Sequence, residues 1–134
     1  MSQFFFKHPT TVVLAGPTQC GKTHFLIKAI RGRCFRPEPQ RIVWVYGEMQ
    51  AAYEDLARDV PGIEFIQGFN NELYETFDPQ VRNLLILDDQ MENKRGDNAV
   101  TKFFTQGSHH RNLTVVYIVQ NLFHQDTSMR TISL

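Results

Sequence analysis

The sequence contains few cysteines, no net charge and no long apolar run. Its two cysteines, Cys20 and Cys34, are too few for a disulfide framework in 134 residues, and they favour a reducing compartment. No segment approaches the ~18 apolar residues of a membrane span, and the apolar run within residues 1–7 is too short for a signal peptide. These absences predict a soluble intracellular protein, in the cytoplasm or the nucleus, that is not secreted and does not contact a membrane.

The charges of the chain balance, since it has 14 lysines and arginines and 14 aspartates and glutamates. Bulk electrostatics therefore gives no reason to expect nucleic-acid binding, and a contact with DNA has to come from a local patch or from several subunits that line a pore. The histidines lack the spacing of a zinc site. The length fits one domain, residues 1–134, without internal repeats.

One eight-residue segment carries the strongest functional signal. Residues 16–23 read G-P-T-Q-C-G-K-T, which fits the phosphate-binding pattern G-x-x-x-x-G-K-[ST]. An apolar, β-branched run at 11–15 precedes the segment, and a helical pattern from about Lys22 to Ile30 follows it, as this motif requires. The predicted nucleotide-binding residues are Gly16, Pro17, Thr18, Gln19, Cys20, Gly21, Lys22, Thr23 and His24.

The residue types in this segment suit the binding of a nucleoside triphosphate. Gly16 and Gly21 let the backbone N–H groups turn toward the phosphates, next to the positive end of the following helix dipole. Lys22 is expected to contact the β- and γ-phosphates, and the Thr23 hydroxyl is expected to bind Mg²⁺. The alternative is a simple glycine-containing turn before a helix, which the strand and the helix on either side disfavour.

A second motif predicts hydrolysis of the bound nucleotide. Residues 84–89 form an apolar strand that ends in Asp88 and Asp89, the form of a Walker B motif. The carboxyl ends of parallel strands meet at one edge of a sheet, so these carboxylates should emerge beside the phosphate loop. Asp88 is expected to hold Mg²⁺ through a water, and Asp89 to orient and deprotonate the attacking water. In the alternative interpretation, one of the two caps a helix.

The strand at residues 113–121 has a polar residue, Gln120, near its carboxyl end. A strand this apolar is buried on both faces, so Gln120 needs a partner there, which the γ-phosphate or the attacking water would supply. This is the sensor position of additional-strand P-loop ATPases. Alternatively, Gln120 or Asn121 bonds the neighbouring loop backbone.

Arg111 lies at the opposite end of the same strand. At about 3.3 Å per residue, Arg111 is roughly 25 Å from the phosphate edge that Gln120 reaches. Arg111 therefore cannot serve its own site, and a catalytic role would be that of an arginine finger given to a neighbouring subunit. A solvated loop arginine is the alternative.

The order of the remaining segments is that of an α/β fold. Strands are predicted at 41–46 and, at the sheet edge, at 62–66. Helices are predicted at 50–58, at 70–77 and at 97–105. Alternating strands and helices imply right-handed crossovers and a mostly parallel sheet sandwiched by helices. Together with the phosphate-loop motif and the sensor-like position of Gln120, this order resembles a P-loop NTPase of the additional-strand type.

Five segments carry a resemblance to a known family. They are Gly16–Thr18, Gly21–Phe25, Val43–Glu48, Leu87–Asp89 and the long block Phe104–His124. In these segments the chain resembles the genome-packaging ATPases of poxvirus type, within the FtsK/HerA translocase group, and similar proteins of Polinton (Maverick) elements and adintoviruses. The last block is far more specific than the Walker motifs. The group pairs an arginine before this strand with a glutamine at its end, which matches Arg111 and Gln120.

This resemblance implies a function, cofactors and partners. Members of the family bind ATP and Mg²⁺ and hydrolyse ATP in a homo-oligomeric ring that drives double-stranded DNA into a preformed capsid. The expected partners are therefore double-stranded DNA, further copies of the chain, and a capsid or portal-like virion protein. The expected location is the site of virus assembly in the host cytoplasm or nucleus.

The chain departs from the family at its end. Relatives continue into at least one more strand, which flanks the phosphate-loop strand and extends the sheet. The sequence therefore predicts an incomplete or truncated domain, in which the strand at 11–15 is an exposed edge unless residues 4–6 cover it.

Two other functions remain open. One is a small phosphotransferase of the nucleoside-kinase kind, which should carry an arginine-rich lid over a second substrate, whereas Asp88, Asp89 and Gln120 suit water as the acceptor. The other is a truncated ATP-binding interaction protein that does not hydrolyse ATP.

Overall fold

Six parallel strands form the central sheet of the computed structural model, which describes residues 4–16, 21–68, 70–88, 111–119 and 130–133. The strands in chain order are β1 Phe6–Lys7, β2 Thr11–Ala15, β3 Phe35–Arg36, β4 Arg41–Tyr46, β5 Glu64–Gln67, β6 Asn83–Asp88, β7 Leu113–Val119 and β8 Arg130–Ser133. The helices are α1 Lys22–Arg31, α2 Ala51–Asp59 and the 3-10 helix Asn71–Thr76. The α/β class predicted from the alternating pattern is confirmed.

The strand order in the large sheet is β5-β4-β6-β7-β2-β8, and every neighbouring pair is parallel. All six strands therefore end at one edge, which we call the carboxyl edge, and begin at the other, the amino edge. Strand β7 lies between β2 and β6, so the strand before the phosphate loop and the strand before the acidic pair are separated by one strand. Every residue of β6 is buried, as expected for a central parallel strand covered on both faces.

The expectation that the strand at 11–15 is an exposed edge is wrong. Strand β8 pairs with β2 from Val12 to Ala15, on the side opposite to β7, so β2 lies inside the sheet. The flanking strand that was expected to be missing is thus formed by Arg130–Ser133. Residues 4–6 do not cover β2, because β1 pairs with β3 in a separate two-stranded sheet. The predicted edge position of the strand near 62–66 is confirmed for the part of the chain that the structure describes, where β5 pairs with β4 alone.

Both α-helices pack on one face of the sheet. The core there joins Leu26 and Ile30 of α1, Leu56 of α2, and inward residues of the strands such as Trp44 and Ile86. A right-handed connection fixes this arrangement, since β2-α1-β4 and β4-α2-β5 both step in the same direction across the sheet.

The opposite face of the sheet is covered, at one end, by the 3-10 helix. Its Leu73 and Tyr74, with Phe77 just beyond it, pack on Val43 and Leu85 of the sheet. The helix predicted at 97–105 lies outside the described residues, as does the second helical layer that it would supply. None of the helices within the described ranges is long and apolar enough to cross a membrane.

Helix α1 presents an apolar face to the sheet and a basic face to solvent. Leu26, Ile27 and Ile30 are buried, whereas Lys28 and Arg31 are exposed, as the sequence pattern predicts. The two basic residues occupy the last turn, where a positive charge interacts favourably with the helix dipole. The same dipole leaves its positive end at Lys22, at the carboxyl edge of the sheet.

Candidate nucleotide site

The site is built around the start of α1, where a glycine shapes the backbone. Gly21 has φ of 92°, a left-handed conformation that a residue with a Cβ rarely adopts, and its carbonyl accepts the first helical bond, from Phe25 N at 2.8 Å. The first turn of α1, Lys22–Phe25, contains no acidic residue. By helix geometry the N–H groups of Lys22, Thr23 and His24 lack intrahelical acceptors, so the turn suits an anion.

Lys22, the predicted phosphate-binding residue, has well-defined contacts in the structure. Only 7% of the residue is exposed, and its Nζ donates hydrogen bonds to Gly16 O and, at 2.9 Å, to Val119 O. Gly16 N also donates to Val119 O, at 3.2 Å. The ammonium therefore lies between the start of the loop, the start of α1 and the end of β7, and two of its three N–H groups bind backbone oxygens.

Asp88 ends β6 at the same edge of the sheet. It is 5% exposed and is paired with Ile118 of β7, which in turn is paired with Leu14 of β2. Neighbouring strands lie about 4.8 Å apart, so the backbone of Asp88 is roughly 10 Å from that of β2, two residues before Gly16. The structure thus places the buried carboxylate and the start of the predicted phosphate loop at one edge, as the sequence predicts.

The sequence did not reveal Tyr53 of α2 as a neighbour of this carboxylate. Tyr53 is fully buried, and its hydroxyl donates to Asp88 Oδ2 at 3.4 Å. Burial, and then the negative charge of Asp88, raises the pKa of Tyr53 well above its usual value, so the hydroxyl keeps its proton, and can donate it to Asp88, even in alkaline solution. The sequence signal was a tyrosine at an inward position of a predicted helix, since a buried tyrosine hydroxyl needs a partner.

Several predicted site residues cannot be placed. Pro17, Thr18, Gln19, Cys20, Asp89 and Gln120 lie outside the described residues. Of the others, Thr23 is half-buried in the first turn of α1 and His24 is exposed. The base, the sensor and the middle of the loop therefore remain predictions.

Arg111 lies at the amino edge, as predicted, but it is not a solvated loop residue. Its guanidinium forms an ion pair with Glu75 Oε2 at 2.9 Å and donates to Phe77 O at 3.3 Å. It also lies over the Tyr74 ring, 5.2 Å from the centroid. The interpretation as a freely solvated arginine is therefore wrong, because three groups of the 3-10 segment hold the side chain and leave 27% of it exposed.

The residues present fit a magnesium ion held with a nucleotide. No cluster of three metal-binding side chains occurs among the described residues. Mg²⁺ in nucleotide sites does not need such a cluster, because phosphate oxygens and waters supply most of its ligands. One buried carboxylate, Asp88, with the Thr23 hydroxyl on α1 is the donor set that this mode of binding uses.

A cavity of about 510 Å³ lies away from this site, at the amino edge. Its walls include the carboxyl-terminal ends of both α-helices, at Ile30 and Val60, and the strand residues Ile42 and Leu84. Ion pairs between Arg31 and Asp59 and between Arg33 and Glu38 lie among its lining residues. The cavity is therefore separate from the predicted phosphate site.

Comparisons with known proteins do not identify the chain. Neither a protein-family model nor a curated protein matched it.

Proposed function

We propose that this chain is a P-loop ATPase domain that binds and hydrolyses Mg-ATP. The observation that carries the proposal is Lys22, a buried ammonium at the start of a helix that follows a parallel strand and a glycine-rich segment. A buried lysine needs strong acceptors, and here it has two carbonyl oxygens that a phosphate could replace. The strand order supports the additional-strand type, because β7 separates the phosphate-loop strand from the strand that ends in Asp88.

Each residue of the proposed site has a separate role. Lys22 and the first turn of α1 bind the phosphates and stabilise the negative charge that develops during transfer. Asp88 and Thr23 would hold Mg²⁺, and the ion would supply neutralisation of charge on the phosphate oxygens. Asp89 accepts the proton of the attacking water, and Gln120 orients that water, as the family resemblance implies.

We further propose that the domain acts as a ring-forming motor on double-stranded DNA. The resemblance of residues 104–124 to genome-packaging ATPases supports this role, and with it a capsid or portal-like partner and a location at the site of virus assembly. Arg111 lies at the end of β7 remote from the phosphate site, so it would act on the nucleotide of a neighbouring subunit. Its exposed fraction, 27% of the side chain, is available to such a neighbour.

ATP turnover with and without double-stranded DNA tests this function. We expect Mg²⁺-dependent release of phosphate that increases when DNA is added, together with assembly detected by light scattering. Turnover that appears only with a nucleoside or another phosphate acceptor would indicate a phosphotransferase. Binding without turnover, in a protein that assembles on DNA, would indicate an ATP-dependent interaction protein.

A further inference from the structure

The Tyr53 side chain is held rigidly beside Asp88. Its ring stacks on Phe65 at a centroid distance of 5.1 Å and contacts Trp44 at 5.1 Å and Tyr46 at 5.6 Å. All of these contacts are made by the ring, so packing alone would be satisfied by phenylalanine. The hydroxyl is an additional group, buried in an aromatic cluster, and it donates to Asp88 Oδ2. Burying a hydroxyl is unfavourable unless it finds an acceptor.

We infer that Tyr53 is a positioning residue that orients the Asp88 carboxylate for Mg²⁺. This inference rests on the proposed nucleotide site. A hydrogen bond to one carboxylate oxygen restricts rotation of the carboxylate. It thereby fixes the position from which the other oxygen can bind Mg²⁺. Groups that hydrogen-bond metal-binding carboxylates commonly determine metal affinity in this way. Tyr53 acts through Asp88 and does not itself contact the nucleotide or the ion.

The length of the contact agrees with such a role in the free protein. The O···O distance of 3.4 Å exceeds the ~2.7–2.8 Å usual for a hydroxyl donor. Hydrogen bonds in functional sites are often long before the ligand binds and tighten in the complex. The contacts of the Tyr53 ring with Phe65 and Trp44 place the donor beside the carboxylate.

The test is a magnesium titration of nucleotide binding with the variant Tyr53→Phe. A fluorescent ATP analogue is bound at increasing Mg²⁺, and the half-saturating Mg²⁺ concentration is compared with that of the wild-type protein. We expect this concentration to rise about tenfold, the lower end of what loss of such a supporting bond costs. Affinity for the analogue in excess EDTA should not change. Tyr46→Phe is the matched control, since it removes a hydroxyl from a partly buried member of the same cluster and should behave as wild type.

A second variant separates positioning from a general structural effect. In Asp88→Asn the carboxylate is gone, so adding Tyr53→Phe should change the Mg²⁺ dependence no further, whereas independent effects would add. This pair also serves if Tyr53→Phe alone is unstable, because Asp88→Asn removes the buried charge that Tyr53→Phe deprives of its hydroxyl donor. Wild-type Mg²⁺ dependence in folded Tyr53→Phe, or additive effects in the pair, overturns the inference and leaves the proposed function standing. A wild-type protein that binds no Mg-ATP overturns both.

Discussion

The buried polar groups at the two edges of the central sheet differ in their partners. At the amino edge most of these groups bond one another: the Asn83 amide nitrogen donates to the backbone oxygens of Asp78, Val81 and Arg111 at 2.8–3.0 Å, although Asn83 Oδ1 has no hydrogen-bond partner within the described residues. His8 lies between the Thr114 hydroxyl, 2.7 Å from Nδ1, and Asn112 Oδ1, 2.8 Å from Nε2. These bonds join strand starts to the segments before them and serve the stability of the fold.

At the carboxyl edge the buried charged groups lie at the end of β6 and at the start of α1. Lys22 and Asp88 come from different elements, and Tyr53 brings a donor to the carboxylate. A buried ammonium and a buried carboxylate at the ends of strands cost stability, and proteins retain them mainly where they bind something. The comparison therefore predicts that changes at the carboxyl edge affect ligands and turnover, whereas changes at the amino edge affect stability.

Arg111 is the exception that would break this comparison, because it lies at the amino edge and is proposed to act in catalysis. Lys22→Ala protein keeps Arg111, and Arg111→Ala protein keeps its phosphate loop. Each alone should lose about 10³-fold or more of its turnover, and mixing them should restore part of it at shared interfaces.

Sedimentation with ATP and DNA must first show that the chain assembles. Glu75→Gln is the control, because it removes the ion pair and keeps the arginine. Normal turnover of Arg111→Ala in an assembled ring would return Arg111 to a purely structural role and restore the simple contrast between the edges.

The next largest effect is expected for the predicted base. Asp89→Asn keeps the size of the side chain and removes its basicity, so ATP should bind while turnover falls by about 10²- to 10³-fold. Single-turnover phosphate release measures the loss. Asp88→Asn should instead shift the Mg²⁺ dependence. If both variants turn over ATP as wild type does, the acidic pair is a helix cap and the carboxyl edge has no base.

Lys22→Ala tests binding at the carboxyl edge directly. It removes a charge-assisted contact to phosphate, and we expect affinity for Mg-ATP to fall by about 100-fold, which corresponds to ~2.7 kcal/mol. Isothermal titration measures the loss, and circular dichroism shows whether the fold is retained. Lys28→Ala, on the exposed face of the same helix, is the matched control and should bind normally. Unchanged affinity in folded Lys22→Ala protein removes the site assignment.

The variant Asn83→Ala tests the amino edge of the sheet. The substitution deletes a fully buried amide and leaves three backbone oxygens, in the segments before β6 and before β7, without this donor, so the free energy of unfolding should fall by about 2–3 kcal/mol. Urea denaturation measures this fall. Affinity for Mg-ATP, measured on the folded fraction, should stay at the wild-type value. Asn70→Ala, which removes an exposed cap of the 3-10 helix, should cost about 1 kcal/mol or less.

Sequence patterns predicted most of the described strands and helices, because apolar strands and amphipathic helices have strong periodic signals. Strand β2 agrees with the prediction at both ends, and α1 differs by one residue at its end. The sequence patterns did not predict strand β8, because residues 130–133, R-T-I-S, form a short and mostly polar segment. Only their pairing with β2 defines them as a strand. Such pairing is a long-range contact that no local pattern contains.

The absence of long-range contacts from local sequence patterns also explains why parts of the site were not predicted. The glycine and lysine positions of the phosphate loop are set by local backbone geometry, so a short motif predicts them. The Tyr53–Asp88 contact joins residues 35 apart, and the Arg111–Glu75 ion pair joins residues 36 apart. Both contacts depend on how the connecting segments cross the sheet. These crossings can be predicted only when the strand order is known.

The smallest expected effect concerns pH and His8 at the amino edge. Burial lowers the pKa of His8 below its ordinary value of 6.5, and the positive charge of Arg82 acts in the same direction, although the hydrogen bond to Asn112 opposes them. A carboxamide oxygen only accepts, so Nε2 carries the proton of the neutral ring and Nδ1 accepts from Thr114. At neutral pH the folded protein therefore holds this ring in its neutral form.

Because its pKa is lower in the folded state, His8 binds protons more readily after unfolding, and its contribution to stability is complete above pH 6.5. That contribution is lost progressively as the pH falls below 6.5 toward the folded pKa. Urea midpoints measured between pH 8 and pH 5 should show this decline in the wild-type protein, and His8→Gln should remove the part due to His8. His24→Gln, at an exposed position of α1, should retain the wild-type slope. An identical slope in His8→Gln would show that the amino edge tolerates a charged ring, and the contrast between the two edges would then not extend to its buried histidine.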